Sequence, residues 1–112
     1  MFLVRRVFKA KARKVWEAAS VINEMGIEYE KSGQRNESRI YVNAGTTPGE
    51  YGSIYMEWTA EVLESAYRGD NEIPSRIKDE LGPMLRELVE SQSIEFYELF
   101  TPDKKVFLQG GN

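Results

Sequence analysis

The chain has no cysteine and no histidine among its 112 residues. Without cysteine there is no disulfide, no thiolate metal ligand and no thiol nucleophile, a composition that suits a reducing compartment. Without histidine the commonest general base, the commonest metal ligand and the usual axial ligand of haem are all missing. Proton chemistry would have to run on carboxylates, lysine, tyrosine or bound water, and the composition calls for no metal and no cofactor. Charge of one sign is also in short supply: the net charge is only −3, and the basic residues form no stripe interleaved with aromatics. Neither nucleic acid nor an anionic membrane is therefore the expected partner. No apolar run approaches the ~20 residues that span a bilayer, and the N-terminus lacks the apolar core and cleavage site of a secretory signal, so the expected location is cytoplasmic. The acid-free cluster Arg5, Arg6, Lys9, Lys11, Arg13 and Lys14 has the composition of an organelle presequence, but it falls on a segment that reads as a strand and a helix start. Asn36-Glu37-Ser38 matches a glycosylation acceptor that stays idle without a signal peptide.

What is present is a pattern of alternating periods. Residues 2–10 are rich in Val, Leu and Phe, with Phe2, Val4 and Phe8 alternating against Arg5 and Lys9, which predicts a half-buried first strand. Val15, Ala18, Ala19, Ile22, Met25 and Tyr29 then recur at three and four residues, which draws one apolar stripe along a helix over residues 12–32. Gly33 suits its end, and Gly26, inside the stripe, reads as a point of close packing. Residues 38–44 and 53–59 predict two strands joined by the glycine-rich segment 45–52, a hairpin whose loop matches neither a P-loop nor a dinucleotide fingerprint. A short helix is expected over residues 61–68. A second stripe, Ile77, Leu81, Met84, Leu85, Leu88 and Val89, passes through Gly82-Pro83 and predicts either one kinked helix or a break. Residues 93–100 give the last strand, and 101–112 form a tail in which 105–108 could add an edge strand. No internal repeat or low-complexity tract interrupts this order, so residues 1–112 form a single domain. Strand, helix, strand, strand, helix, strand is the split arrangement of the α+β, ferredoxin-like class, an antiparallel sheet with helices on one face.

Helices cover one face of such a sheet, so the other must be watery or be covered by something else. Alternation assigns Phe2, Val4, Phe8, Ile40, Val42, Ile54, Met56, Trp58, Ile94 and Phe96 to the helices. The opposite set mixes Leu3, Val7 and Leu99 with Arg5, Arg39, Asn43, Glu57, Glu95, Tyr41, Tyr55 and Tyr97. An apolar, tyrosine-bearing patch of that kind marks an association surface, and a homodimer through the face carrying Arg5, Tyr41, Tyr55, Glu57 and Tyr97 is expected. Arg5 with Glu57 and Glu95 would then fix the dimer register.

The opening Leu3-Val4-Arg5-Arg6-Val7-Phe8-Lys9-Ala10-Lys11, the long helix after it, and Gly52-Ser53-Ile54-Tyr55-Met56-Glu57-Trp58 leading into Leu63-Glu64-Ser65-Ala66 together resemble the dimeric α+β barrel superfamily, nearest in pattern to its NIPSNAP-like branch. The resemblance spans residues 2–100 and is one of layout, with no sharp motif. It implies two ferredoxin-like domains with sheets face to face and a ligand pocket between each sheet and its own helices. It does not choose a function, because the superfamily includes haem-degrading oxygenases, cofactor-free oxygenases, lactone isomerases and members without an assigned activity. The missing histidine departs from the haem-binding members, and Lys11-Ala12-Arg13 stands where related proteins often carry a Lys-Pro-Gly turn.

Under the helices the odd members of the apolar face are Arg6 and Glu98, expected as sheet neighbours. They read either as a partly solvated ion pair or as a binding and proton-transfer pair. Trp16, Tyr29 and Trp58 read either as core or as the walls of a flat apolar cleft. The scattered Glu28, Glu30, Glu61, Glu64, Glu87 and Glu90 read as solvated helix surface. Three functions stay open: a homodimeric binder of an apolar or aromatic small molecule using Arg6, Trp16, Tyr29, Trp58 and Glu98; a cofactor-independent monooxygenase or isomerase acting on an aromatic substrate, with Glu98 or a tyrosine moving the proton; and a structural or adaptor protein without a ligand.

Overall fold

The computed structural model describes residues 1–45, 48–64, 69 and 71–108. Four strands, β1 (Phe2–Ala10), β2 (Arg39–Val42), β3 (Ser53–Ala60) and β4 (Val89–Glu98), form one antiparallel sheet in the order β2-β3-β1-β4. Helix α1 (Val15–Lys31) follows β1, and helix α2 (Gly82–Leu88) precedes β4. This is the expected ferredoxin-like α+β arrangement, with β3 and β1 in the centre of the sheet and β2 and β4 at its edges. The predicted β2–β3 hairpin is present, with Ile40 opposite Met56 and Val42 opposite Ile54.

α1 forms where the stripe predicts, and all six stripe residues are buried. It ends in a Schellman turn: Gly33 takes the left-handed conformation at φ 76°, its N–H donates to the Glu30 carbonyl at 3.0 Å, and Gln34 N–H donates to the Tyr29 carbonyl at 3.2 Å. Gly26 is buried against the sheet. A Cβ there would collide with Ser38 Oγ and come within 3.3 Å of Met56 Cε.

The second stripe does not break at Gly82-Pro83. A π-helical turn over Ile77–Leu81 runs directly into α2, with Gly82 N–H donating to the Ile77 carbonyl. Proline has no N–H to give and its ring crowds the carbonyl four residues back, so the helix widens by one residue before Pro83 and continues. Arg76 ties this element to α1, reaching Glu24 at 3.1 Å and Glu28 at 3.0 Å. α2 passes into β4 with no intervening loop, which starts the strand four residues earlier than the sequence pattern implies.

Three expectations change. Residues 61–64 are not helical, and 65–68 of the predicted short helix lie outside the described residues. Residues 105–108 form no edge strand, because a 3-10 turn at Pro102–Lys104 carries the chain off the sheet after β4. Ile94 and Phe96 lie on the helix side in register with Arg6 and Val4, yet each is about half exposed. The helices pack over β1, β2 and β3, and α2 meets β4 only where the two join, so the helix side of that edge strand stays open.

Candidate functional site

The middle of the sheet–helix layer is solid. Phe8, Ile22, Ile54, Met56 and Leu85 are fully buried there, so no cleft runs through the core. The opening lies at one end, where the Schellman turn throws the chain back across the end of β3. A cavity of about 250 Å³ is bounded by Gly33, Arg35, Trp58, Thr59, Ala60 and Glu61. The returning chain is fastened to both neighbours: Asn36 Nδ2 donates to the Thr59 carbonyl at 2.8 Å, and the Gln34 side-chain amide donates to the Glu72 carbonyl.

The position of Arg35 follows from that turn. Its guanidinium carbon lies 3.6 Å from the centre of the Tyr29 ring and 4.1 Å from that of Trp58, so the cation is stacked between an aromatic of α1 and one of β3. Arg6 stands on the same side of the sheet, over the Phe8 ring at 4.8 Å, with Nη2 donating to Gln92 Oε1 at 2.8 Å. Among the described residues no carboxylate lies within ion-pair distance of either guanidinium. Burial pushes Arg35 down from the ordinary guanidinium range to about 10; Tyr29 opposes the shift and the positive charge of Arg6 adds to it. Burial likewise lowers Arg6.

Three of the five residues singled out from the sequence, Arg6, Tyr29 and Trp58, thus gather in one cluster. The other two do not. Trp16 is 67% exposed, because Val15 takes the inward position and the next residue of a helix points about 100° away. Glu98 lies opposite Phe2, whereas Arg6 lies opposite Ile94. Four residues along a strand separate them by roughly 13 Å, and Glu98 pairs instead with Lys104 at 2.9 Å. The expected Arg6–Glu98 pair is therefore absent, and with it the geometry for Glu98 to move a proton in the cleft. Arg35 escaped sequence reading because it follows the helix end in a polar, loop-like stretch. The usable signal was a left-handed glycine that folds the chain back toward the last-turn Tyr29.

The opposite face is organised differently. Arg5 Nε donates to Glu57 Oε2 at 2.5 Å and Nη1 to Glu95 Oε1 at 3.5 Å, while Tyr97 Oη donates to the same Glu95 oxygen at 2.7 Å. The Tyr55 and Tyr97 rings flank the guanidinium at 5.7 and 5.2 Å. The hydrogen bond to Glu57 holds Arg5 above its ordinary value, and the bond to Glu95 raises Tyr97. A shallow depression of about 400 Å³ lined by Arg5, Tyr41, Tyr55 and Glu57 lies at the centre of this face. Among the described residues no helix is long and apolar enough to cross a membrane, and no group of acids is placed to hold a metal ion.

No protein-family profile and no curated protein matches the sequence. Solved structures do. A NIPSNAP family protein from Agrobacterium tumefaciens superposes with a TM-score of 0.59 at 19% identity, over 90% of this chain and 93% of that one. An uncharacterized NIPSNAP domain protein from Burkholderia xenovorans gives 0.57 at 16% identity, over 91% and 97%. A dimeric protein of unknown function and ferredoxin-like fold from Bacteroides fragilis gives 0.55 at 19%, over 88% and 96%. At these identities the likeness establishes the fold alone: the chain has the ferredoxin-like α+β fold seen in structures of NIPSNAP domain proteins.

Proposed function

We propose that the protein is a homodimeric binder of a small apolar or aromatic molecule, held in the cleft between the end of α1 and the end of β3. The observation that carries this reading is the cavity walled by Trp58, with Arg35 stacked on its ring. A concave opening with a largely buried aromatic in its lining beside a few directed polar groups suits a small-molecule site. The enzymatic alternative relied first on Glu98, which stands outside the cleft in an ion pair with Lys104. Binding without turnover is the reading that the remaining residues support.

The Trp16→Phe protein leaves Trp58 as the single tryptophan. Saturable quenching of its fluorescence by 2-naphthamide is the expected result, lost in an Ala60→Phe variant whose ring fills the cavity. Quenching that never saturates, or that survives Ala60→Phe unchanged, would remove the cleft from consideration.

Three observations support the dimer. Tyr41, Tyr97 and Leu99 are each about half exposed on the open face of the sheet, and Phe100, Val106, Phe107 and Leu108 are still more exposed beyond it. The radius of gyration is 17.0 Å, against roughly 13 Å for a compact chain of this length. The similar Bacteroides fragilis protein is described as dimeric. A second copy laid on this face would cover the tyrosines and enclose the Arg5 cluster between two sheets. Sedimentation should give a dimer at micromolar concentration and a monomer for the Tyr41→Glu, Tyr55→Glu double variant; a monomeric wild type would refute the arrangement.

A further inference from the structure

Arg35 in the cavity and Arg6 beside it stand apart from other cations of the protein. Arg5 has two carboxylates, Arg76 has Glu24, Glu28 and Glu80, and Lys9 has Glu50. Among the described residues, Arg6 and Arg35 have rings, a glutamine and a thioether in place of acids: Phe8 and Gln92 for Arg6, Tyr29, Trp58 and Met56 for Arg35. A desolvated cation without a counter-charge is costly, and proteins normally pair it. Stacking between two rings offsets part of that cost through the ring faces. It also fixes the plane of the guanidinium, whose forked donors have the geometry that matches a carboxylate.

From this we propose, resting on the reading of the cleft as a small-molecule site, that its ligand is an organic anion: a carboxylate carried on a flat apolar body. The carboxylate meets the edge of the Arg35 guanidinium in the cavity, the body lies along Trp58, and Arg6 behind Tyr29 supplies a second positive charge. The groups facing Arg35 are Tyr29 from α1, Arg6 from β1 and, across the cavity, Glu61 after β3. Glu61 is the one acid in the lining. It is turned to the chain's amino terminus at 3.8 Å and is 78% exposed at its side chain, so its repulsion of an incoming anion is screened by solvent.

Isothermal titration of the Trp16→Phe protein with 2-naphthoate and with its neutral isostere 2-naphthamide tests this. The carboxylate should bind at least tenfold more tightly than the amide. Arg35→Met should erase that preference by weakening the carboxylate about tenfold more than the amide, since a methionine keeps the apolar contact but not the charge. Arg35→Lys should retain an intermediate preference, because it restores charge without the planar fork. Arg6→Met should reduce the preference less than Arg35→Met, and Glu61→Gln should increase it. Equal affinity for the two probes, or an Arg35→Met protein that weakens both alike, overturns the anion assignment while leaving the apolar cleft standing. Failure of both probes to bind overturns the cleft as well. Melting temperatures of each variant separate loss of charge from loss of fold.

Discussion

If Arg35 is held for a ligand and not as a structural clamp, removing it should cost the unliganded protein little. The depression from the ordinary guanidinium range to about 10 corresponds to a penalty on the charged form on the order of 3 kcal/mol, less whatever solvent still reaching the guanidinium screens. Against it stand two ring contacts at 3.6 and 4.1 Å, each worth about 0.5 to 2 kcal/mol. The two sides nearly cancel. Arg35→Met, which keeps apolar contact with both rings, should therefore unfold in urea within about 1 kcal/mol of wild type, a shift of roughly 4 °C or less in melting temperature. The pH dependence has a defined sign. The unfolded chain holds the Arg35 proton more tightly than the folded one, so the penalty is fully present below pH 10 and is relieved as pH rises above about 10 toward the ordinary guanidinium range. Any stability advantage of Arg35→Met over wild type should thus shrink above pH 10, where Tyr29, Arg6 and Glu61 are present in both proteins and largely cancel in the comparison. A loss exceeding about 2 kcal/mol at neutral pH would refute the reasoning, since it would show that the stacked guanidinium holds the turn to the sheet.

The remaining predictions concern backbone and surface. Gly82→Ala should destabilise by about 1 to 3 kcal/mol in urea unfolding despite alanine's better helix propensity, because the new Cβ would lie 2.8 Å from the Ile77 carbonyl in the π turn and backbone cannot swing aside. A stabilised variant would show that the π turn is not required. Arg13 sits at φ 66° in the β1–α1 turn, a conformation costing a non-glycine residue about 1 to 2 kcal/mol. Arg13→Gly should therefore raise stability by a few tenths to about 1 kcal/mol, and unchanged or lower thermal stability would count against it. Glu98→Gln should leave naphthoate affinity unchanged and alter stability by less than about 0.5 kcal/mol, the usual worth of an exposed pair; a drop in affinity would return Glu98 to the site.

Most of the architecture was legible because each element carries its own period. The α1 stripe, the β2–β3 hairpin and Gly26 are local statements that tertiary packing had no reason to override. What was not legible depended on where the chain goes between elements. No periodicity announces that the polar Gln34-Arg35-Asn36 returns to β3, so the cation that dominates the cleft was invisible while its ring partners Tyr29 and Trp58 stood out. The Arg6–Glu98 pairing failed for a similar reason. Alternation assigns a face, but register along the strand is set by how α2 runs into β4 without a loop, and that junction begins the strand at Val89. Trp16 was misplaced although the stripe already gave the inward position to Val15: its aromatic character was weighed above its place on the helix, where it is 67% exposed.

Arg5 and Arg6 are neighbours in sequence and, on a strand, face opposite ways. Their surroundings separate two uses of the same side chain. Arg5 is flanked by Glu57 and Glu95, which hold its proton more firmly than water does, so its charge is answered inside the protein. Among the described residues Arg6 and Arg35 have no carboxylate partner, and burial works against their charge. A fold under selection for stability alone would replace such cations with leucine or methionine of similar volume, since well-packed apolar residues commonly match or exceed even a buried ion pair in stability. Arg35 instead lines a cavity on the helix side of the sheet with Arg6 close by, while the carboxylate-paired Arg5 stands on the opposite side.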